Sequence, residues 1–229
     1  MNGDREQILA RVTEALRAPA PRHYEIPSKP AAHTTTAPFR EWLPPVGPSL
    51  AEQIALFAER SESLRTEFCQ CADAAAAAQH IAALAADGGW KKLALHAGRL
   101  ADAVAAGLPG SLELLRLEIG YVPNALESCD AGLTECESLV AQTGSVCVTS
   151  RSSGGRALSV LPPHHIVIAS RGQFVADLVA AYAQLAEKYG AAYPSFISFI
   201  SGPSRTGDIE RILVLGAHGP KKLTVLLVP

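Results

Sequence analysis

The sequence predicts an α/β chain, with a mostly parallel sheet covered on both faces and a helical arm in front of it. Three observations carry that expectation. From residue 49 onward strand-like and helix-like segments alternate, the order expected of successive β-α-β units. The runs His165-Ile-Val-Ile-Ala169 and Leu223–Val228 are nearly continuous in apolar residues, as strands buried on both faces are. Eight prolines between residues 18 and 48 separate a first amphipathic helix from everything that follows.

The elements follow in order. Residues 4–17 carry an apolar stripe of Ile8, Leu9, Val12 and Leu16, with Asp4 placed to cap the helix and Gln7 three residues on. The proline-rich stretch 18–48, with Thr34-Thr-Thr36 inside it, reads as an extended linker, so residues 1–48 form an arm and 49–229 the α/β domain. Ser49-Leu-Ala-Glu52 is a capping box, opening a helix that sets Leu50, Ile54, Phe57, Leu64 and Phe68 on one side. A strand is expected around Thr66–Cys71. Asp73 then caps an alanine-rich helix that Asp87-Gly-Gly89 ends. Lys92–His96 and Leu112–Leu117 read as strands around a helix at Arg99–Ala106. Further on, Asp130–Thr134 is a strand, Cys136–Gln142 a short helix, Thr143-Gly144 a turn and Ser145-Val-Cys-Val-Thr149 a strand. Ser152-Ser-Gly-Gly155 is a turn before the strand at His165. Ser170-Arg-Gly-Gln173 boxes the start of a helix carrying Phe174, Leu178, Tyr182, Leu185 and Tyr189. Ser195–Ser201 and Leu223–Val228 are the last strands, and no internal repeat is present.

Composition narrows the function classes. Of 229 residues, 48% are apolar and 18% charged, enough to bury a substantial core in one or two domains. The net charge of −2 and a pI near 6.4 lack the basic footprint of a nucleic-acid binder. No apolar run reaches about 18 residues, so no membrane span is expected. The Met-Asn-Gly-Asp-Arg-Glu start has no apolar signal region, and five cysteines are an odd number, so reduced thiols in a cytoplasm are expected.

Three loops carry the candidate chemistry, and in an open parallel sheet they are expected beyond the carboxyl ends of the strands. The first is Ser201-Gly-Pro-Ser-Arg-Thr206, followed by Asp208-Ile-Glu210. Gly202 permits close backbone approach, Ser204 and Thr206 offer hydroxyls, and Arg205 offers a guanidinium able to grip a carboxylate or phosphate in two-pronged fashion. The same residues could instead cap their own helix and pair Arg205 with Asp208 or Glu210, and the sequence leaves both readings open. The second loop is Gly216-Ala-His-Gly-Pro220, where flanking glycines would let His218 project as a proton carrier and Gly219 expose its backbone. Thr143-Gly-Ser145 is the third, with hydroxyls facing the same crevice. Walker and dinucleotide glycine patterns are absent. Cys69 and Cys71 share a strand face, and Cys129 and Cys136 lie too far apart for zinc or iron–sulfur spacing, so buried thiols are expected. His165 reads as a histidine satisfied at a strand start. Glu135 and Glu137 read as a solvated helix start.

Read together, Cys129-Asp-Ala-Gly-Leu-Thr134, Thr143-Gly-Ser145, Leu161-Pro162 with His165-Ile166, Ile200-Ser-Gly-Pro-Ser-Arg-Thr206 with Asp208-Ile-Glu210, and Leu215-Gly216 with His218-Gly-Pro220 resemble the LUD-domain family. The resemblance spans about residues 65–229 and is most specific in the 200–210 run. Gln142 stands where an acidic residue is common in that family, and Gly207 where alanine is. The resemblance implies a three-layer α/β/α sandwich similar to the sugar-phosphate isomerase and coenzyme A transferase-like superfamily. It implies a non-redox subunit supporting oxidation of L-lactate to pyruvate with two iron–sulfur partner proteins. Clusters would then reside in the partners, and this chain would bind no cofactor of its own. A small carboxylate or other anion would sit among Thr143, Gly144, Ser145, Ser201, Gly202, Ser204, Arg205, Thr206 and Gly219, with His218, Glu210 and Asp208 as candidate catalytic groups. Two alternatives stand beside this reading. One is a stand-alone enzyme for a phosphate- or coenzyme A-bearing substrate, using Glu135, Asp208 or Glu210. The other is an assembly module whose arm wraps a partner or a second copy of the chain, giving a homo-oligomer.

Overall fold

The computed structural model describes residues 2–17, 43–119, 123–206, 214–215 and 219–229. The chain divides into two units, Met1–Trp42 and Leu43–Pro229. In the first, α1 spans Asn2–Arg17 and exposes Ile8, Leu9 and Val12. The expected Asp4 cap is overtaken by two further residues of helix at its start. Most of the proline-rich linker lies outside the described residues.

The second unit is built on six parallel strands in the order β1-β12-β7-β4-β2-β3. These are β1 (Glu67–Gln70), β2 (Lys92–Leu95), β3 (Glu113–Arg116), β4 (Ala131–Thr134), β7 (His164–Ser170) and β12 (Lys222–Val228). A second sheet, in the order β8-β5-β6-β9, contains β5 (Ser138–Val140), β6 (Ser145–Thr149), β8 (Phe174–Val175) and β9 (Ile197–Ile200). A two-residue ladder joins β10 (Arg205–Thr206) to β11 (Val214–Leu215). The helices are α2 (Leu50–Leu64), α3 (Ala74–Gly88), α4 (Arg99–Ala105), α5 (Pro123–Glu127) and α6 (Leu178–Tyr189).

Alternation along β7 explains why that strand is apolar throughout. Ile166 and Ile168 face α3 and α4, joined there by Ile81, Val104, Leu93, Leu133 and Leu226. Val167 and Ala169 face the other way, onto Phe57 of α2 and onto Leu139, Val146 and Val148 of the second sheet. Beyond that sheet α6 covers Cys147 with Leu185 and Tyr189. The α/β architecture with its mainly parallel sheet is as expected. The cover on the second face differs, because a sheet stands beside α2 where helices alone were anticipated.

Two local expectations are corrected for the same reason. Cys136–Gln142 is not a helix: Leu139 pairs with Val146 across a tight β5–β6 hairpin and with Phe174 of β8. Ser170 and Gln173 do form a capping box, but it closes a 3-10 turn over Arg171–Gln173. The helix begins later, at Leu178, where Asp177 accepts from the Ala180 amide at 2.8 Å. Short apolar segments are ambiguous between strand and helix until a neighbouring strand claims their backbone groups. The boxes at Ser49–Glu52 and the cap at Asp73 are present as read.

Candidate functional site

The described parts of the three candidate loops, Thr143–Ser145, Ser201–Arg205 and Gly219-Pro220, converge, but at the opposite edge of the parallel sheet from the one expected. The 201–205 segment leaves β9, which is antiparallel to β6 in the second sheet and has no partner in the parallel one. Its exit therefore meets the amino ends of β1, β12 and β7. The Ser204 amide donates to the Pro220 carbonyl at 2.9 Å, two residues before β12 starts. Gly202, at φ 86, passes so close to the end of α2 that a Cβ there would lie 2.7 Å from the Leu64 carbonyl oxygen. The Arg205 guanidinium donates to that same carbonyl. Gly144, at φ 64 in the β5–β6 turn, packs on Arg60 of α2.

Hydroxyls link the hairpin to the loop. Thr143 Oγ1 lies 2.8 Å from Ser145 Oγ, which lies 2.6 Å from Ser201 Oγ. Thr143, Gly144, Ser145, Ser201, Gly202, Ser204, Arg205 and Gly219 thus form one neighbourhood. Gln142 donates its side-chain amide to the Pro44 carbonyl at 3.0 Å. A carboxylate at that position could not make this bond, so the amide ties down the segment leading into α2. Asp208, Glu210 and His218 lie outside the described residues, as does the Thr206 side chain, and no role is derived for them.

At the carboxyl edge Asp102, Arg116, Glu118 and Glu135 are paired with one another or with backbone. Glu135, just past β4, accepts from the Leu100 and Ala101 amides at 2.7 and 3.1 Å, so it caps α4 from a distance. Arg116 Nη1 reaches Asp102 at 2.8 Å and Glu118 at 3.1 Å, and Glu118 also accepts from the Ala97 amide. The Arg116 bond holds the Asp102 carboxyl below its ordinary range. Glu137 corrects the picture of a solvated helix start. It is buried and accepts from Thr149 Oγ1, Tyr189 OH and Lys188 Nζ, each at 2.6 Å.

Behind the 201–205 loop lies a pocket of about 160 Å³, lined in part by Gly202, Ser204 and Gly219. His165 and Ser159 also line it. Sequence reading took His165 as fully satisfied. Its Nε2 is indeed 2.8 Å from Thr134 Oγ1, but among the described residues Nδ1 has no partner, and neither has Ser159 Oγ. Burial, with His164 beside it, pushes the His165 imidazole down to about 3, so the ring is neutral at physiological pH. The one signal for it was two histidines in succession at a strand entrance. The cysteines are free thiols, and burial pushes Cys147 up to about 12 and Cys71 up to about 11, far from a nucleophilic range. Among the described residues no group of three His, Cys, Asp or Glu could hold a metal ion, and no helix is long and apolar enough to cross a membrane.

Substitution of Gly202 tests how tightly this neighbourhood is held. Gly202→Ala is expected to cost about 1–3 kcal/mol, because alanine is strained at that φ and its methyl meets a backbone oxygen that no side-chain rotation can move. Chemical denaturation would show it, and a cost below a few tenths of a kcal/mol would mean the loop does not sit against α2.

A parallel α/β domain with a hydroxyl-rich neighbourhood at its amino edge is the class that fold and site define. The LUD domain profile matches residues 54–228, and the chain belongs to that family. It is 31% identical over 175 residues to lactate utilization protein C of Deinococcus radiodurans, covering 74% of this chain and 81% of that protein. It is 37% identical over 107 residues to lactate utilization protein C of Geobacillus thermodenitrificans, covering 46% of this chain and 45% of that one. For the protein of that name from Bacillus subtilis the values are 36% over 104 residues, 44% and 43%. The chain thus spans less than half the length of several of the relatives it matches. A crystal structure of a DUF162 family protein from Deinococcus radiodurans superposes with a TM-score of 0.64 at 26% identity, covering 80% of this chain and all of that one.

Proposed function

We propose that the chain serves lactate utilization in the cytoplasm, as a subunit without a redox cofactor of its own that supports oxidation of L-lactate to pyruvate. In this reading two iron–sulfur partner proteins take up the two electrons released at the hydroxyl-bearing carbon, and the two protons leave to solvent. A small carboxylate binds at the amino edge, among Ser145, Ser201, the Gly202–Ser204 backbone and Arg205. The names of the relatives support the biological role. The observation that carries the carboxylate site is the convergence of Thr143, Ser145 and Ser201 hydroxyls on a loop that also presents Arg205. A guanidinium has five N–H donors, so contact with the Leu64 carbonyl leaves others for an anion.

Complementation of a strain lacking the gene tests the reading. Arg205→Ala is expected to lower lactate-dependent oxygen uptake about tenfold, as loss of a charge-assisted contact does, while the purified variant keeps its Tm. Full activity of Arg205→Ala alongside inactivity of a variant lacking residues 1–47 would replace the carboxylate site with a pure assembly role. Purification of the tagged chain from its host is expected to bring two iron–sulfur proteins with it.

A further inference from the structure

His165 and Ser159 line the pocket behind the 201–205 loop, and each carries one buried polar atom that the described residues leave unsatisfied. The pocket measures about 160 Å³, and its walls include Val160, Phe196, Ile200 and Leu223. For scale, an apolar cavity of about 150 Å³ accepts benzene. His165 and Ser159 are 1% and 2% exposed, and among the described residues His165 Nδ1 and Ser159 Oγ have no hydrogen-bond partner. Unsatisfied buried polar atoms are destabilising and uncommon, so two at one pocket mark a place for a ligand oxygen. Thr134, which holds the other ring nitrogen, has a hydroxyl that can donate or accept, so Nδ1 can take either role toward a ligand. Among the described residues no charged side chain lines the pocket. A carboxylate inside it would be buried without a counter-charge, which is costly. Arg205 is instead held outside, on the Leu64 carbonyl.

We infer that this pocket receives the uncharged, hydroxyl- or carbonyl-bearing end of a small acid of about three to five carbons. His165 and Ser159 contact that oxygen, Phe196, Ile200 and Leu223 enclose the carbon frame, and the carboxylate stays at Ser201–Arg205. The inference rests on the carboxylate reading above for the outer end only. It makes His165 and Ser159 the residues that distinguish a hydroxy or oxo acid from a plain fatty acid.

Uncharged and charged probes separate the two ends. Crystals of the full chain would be soaked with L-lactamide and with L-lactate, and affinities measured by ligand-observed NMR. L-lactamide is expected in the pocket, its hydroxyl within hydrogen-bond distance of His165 Nδ1 and Ser159 Oγ. Ser159→Ala, which removes a hydroxyl with no partner among the described residues and so should not impair folding, is expected to weaken lactamide about tenfold. Arg205→Ala should weaken lactate and leave lactamide unchanged. Water alone in the pocket in both soaks, with lactate seated at 201–205, overturns the inference and leaves the carboxylate reading standing. Lactamide in the pocket with lactate bound nowhere supports the pocket and removes the carboxylate reading. Equal affinity for propanamide, which lacks the hydroxyl, overturns the role given to His165 and Ser159.

Discussion

Replacing Phe57 by alanine is expected to destabilise the α/β domain by about 3–5 kcal/mol, the usual cost of emptying a large aromatic site in a core. Phe57 is wholly buried and contacts two other rings edge-on, Phe68 of β1 at 5.1 Å and Phe174 of β8 at 5.5 Å. It is therefore the point where α2 joins both the parallel sheet and the second sheet. The cavity left by alanine would be bordered by rings from two strands, neither of which can shift without breaking its own ladder. Aromatic pairs of this geometry add about 0.5–1.5 kcal/mol beyond the area they bury. For a domain of this size the loss should lower Tm by roughly 10 °C. Phe57→Leu, which keeps most of the volume, should recover more than half of it. A fall of less than about 1 kcal/mol for Phe57→Ala would show that α2 is not anchored as described.

Glu137→Ala is expected to cost about 3–5 kcal/mol, because it strips a buried hydrogen-bonding centre of its acceptor. Glu137 ties β5 to Thr149 on β6 and to Lys188 and Tyr189 on α6. Without it the Thr149 and Tyr189 hydroxyls lose a buried partner, while the half-exposed Lys188 can turn to solvent. Glu137→Gln should cost less, since the amide oxygen still accepts. The pH dependence has a definite sign. Burial alone would raise the Glu137 carboxyl, but the bonds from Lys188, Thr149 and Tyr189 outweigh it and hold the group below its ordinary 4.5. Its contribution is complete above the unfolded value and is lost as pH falls through the lower folded one. The wild type should therefore lose more stability than Glu137→Gln on acidification below about pH 4.5, as denaturation midpoints would record. Parallel acid limbs for the two proteins would contradict the described bonding.

Most of the elements were legible because their signals are local. Ser49 with Glu52, Asp73 with its alanine-rich helix, and the glycine at position 89 act within one or two turns of chain, and all three behave as read. Segment 136–142 was not legible. Its fate depends on pairing with β6 across a turn and with β8, which is distant in sequence and lies on its other side in the second sheet. Glu135 was misread on similar grounds: the amides it caps belong to α4, 34 and 35 residues earlier.

By itself the sequence determined the alternation of strands and helices, the family, and the short loop motifs at 143–145 and 201–206. Each of these depends on residue type and short-range spacing. Tertiary structure alone decided which edge of the parallel sheet the 201–206 loop serves. Periodicity shows that Ile197–Ile200 is a strand but not which sheet it joins, and pairing with β6 rather than with β12 carries its exit to the amino edge. The same packing buries His165 and Ser159 beside that loop and, among the described residues, leaves each with an unmatched polar atom. Whether a buried atom finds a partner depends on neighbours from other elements, which spacing along the chain does not encode.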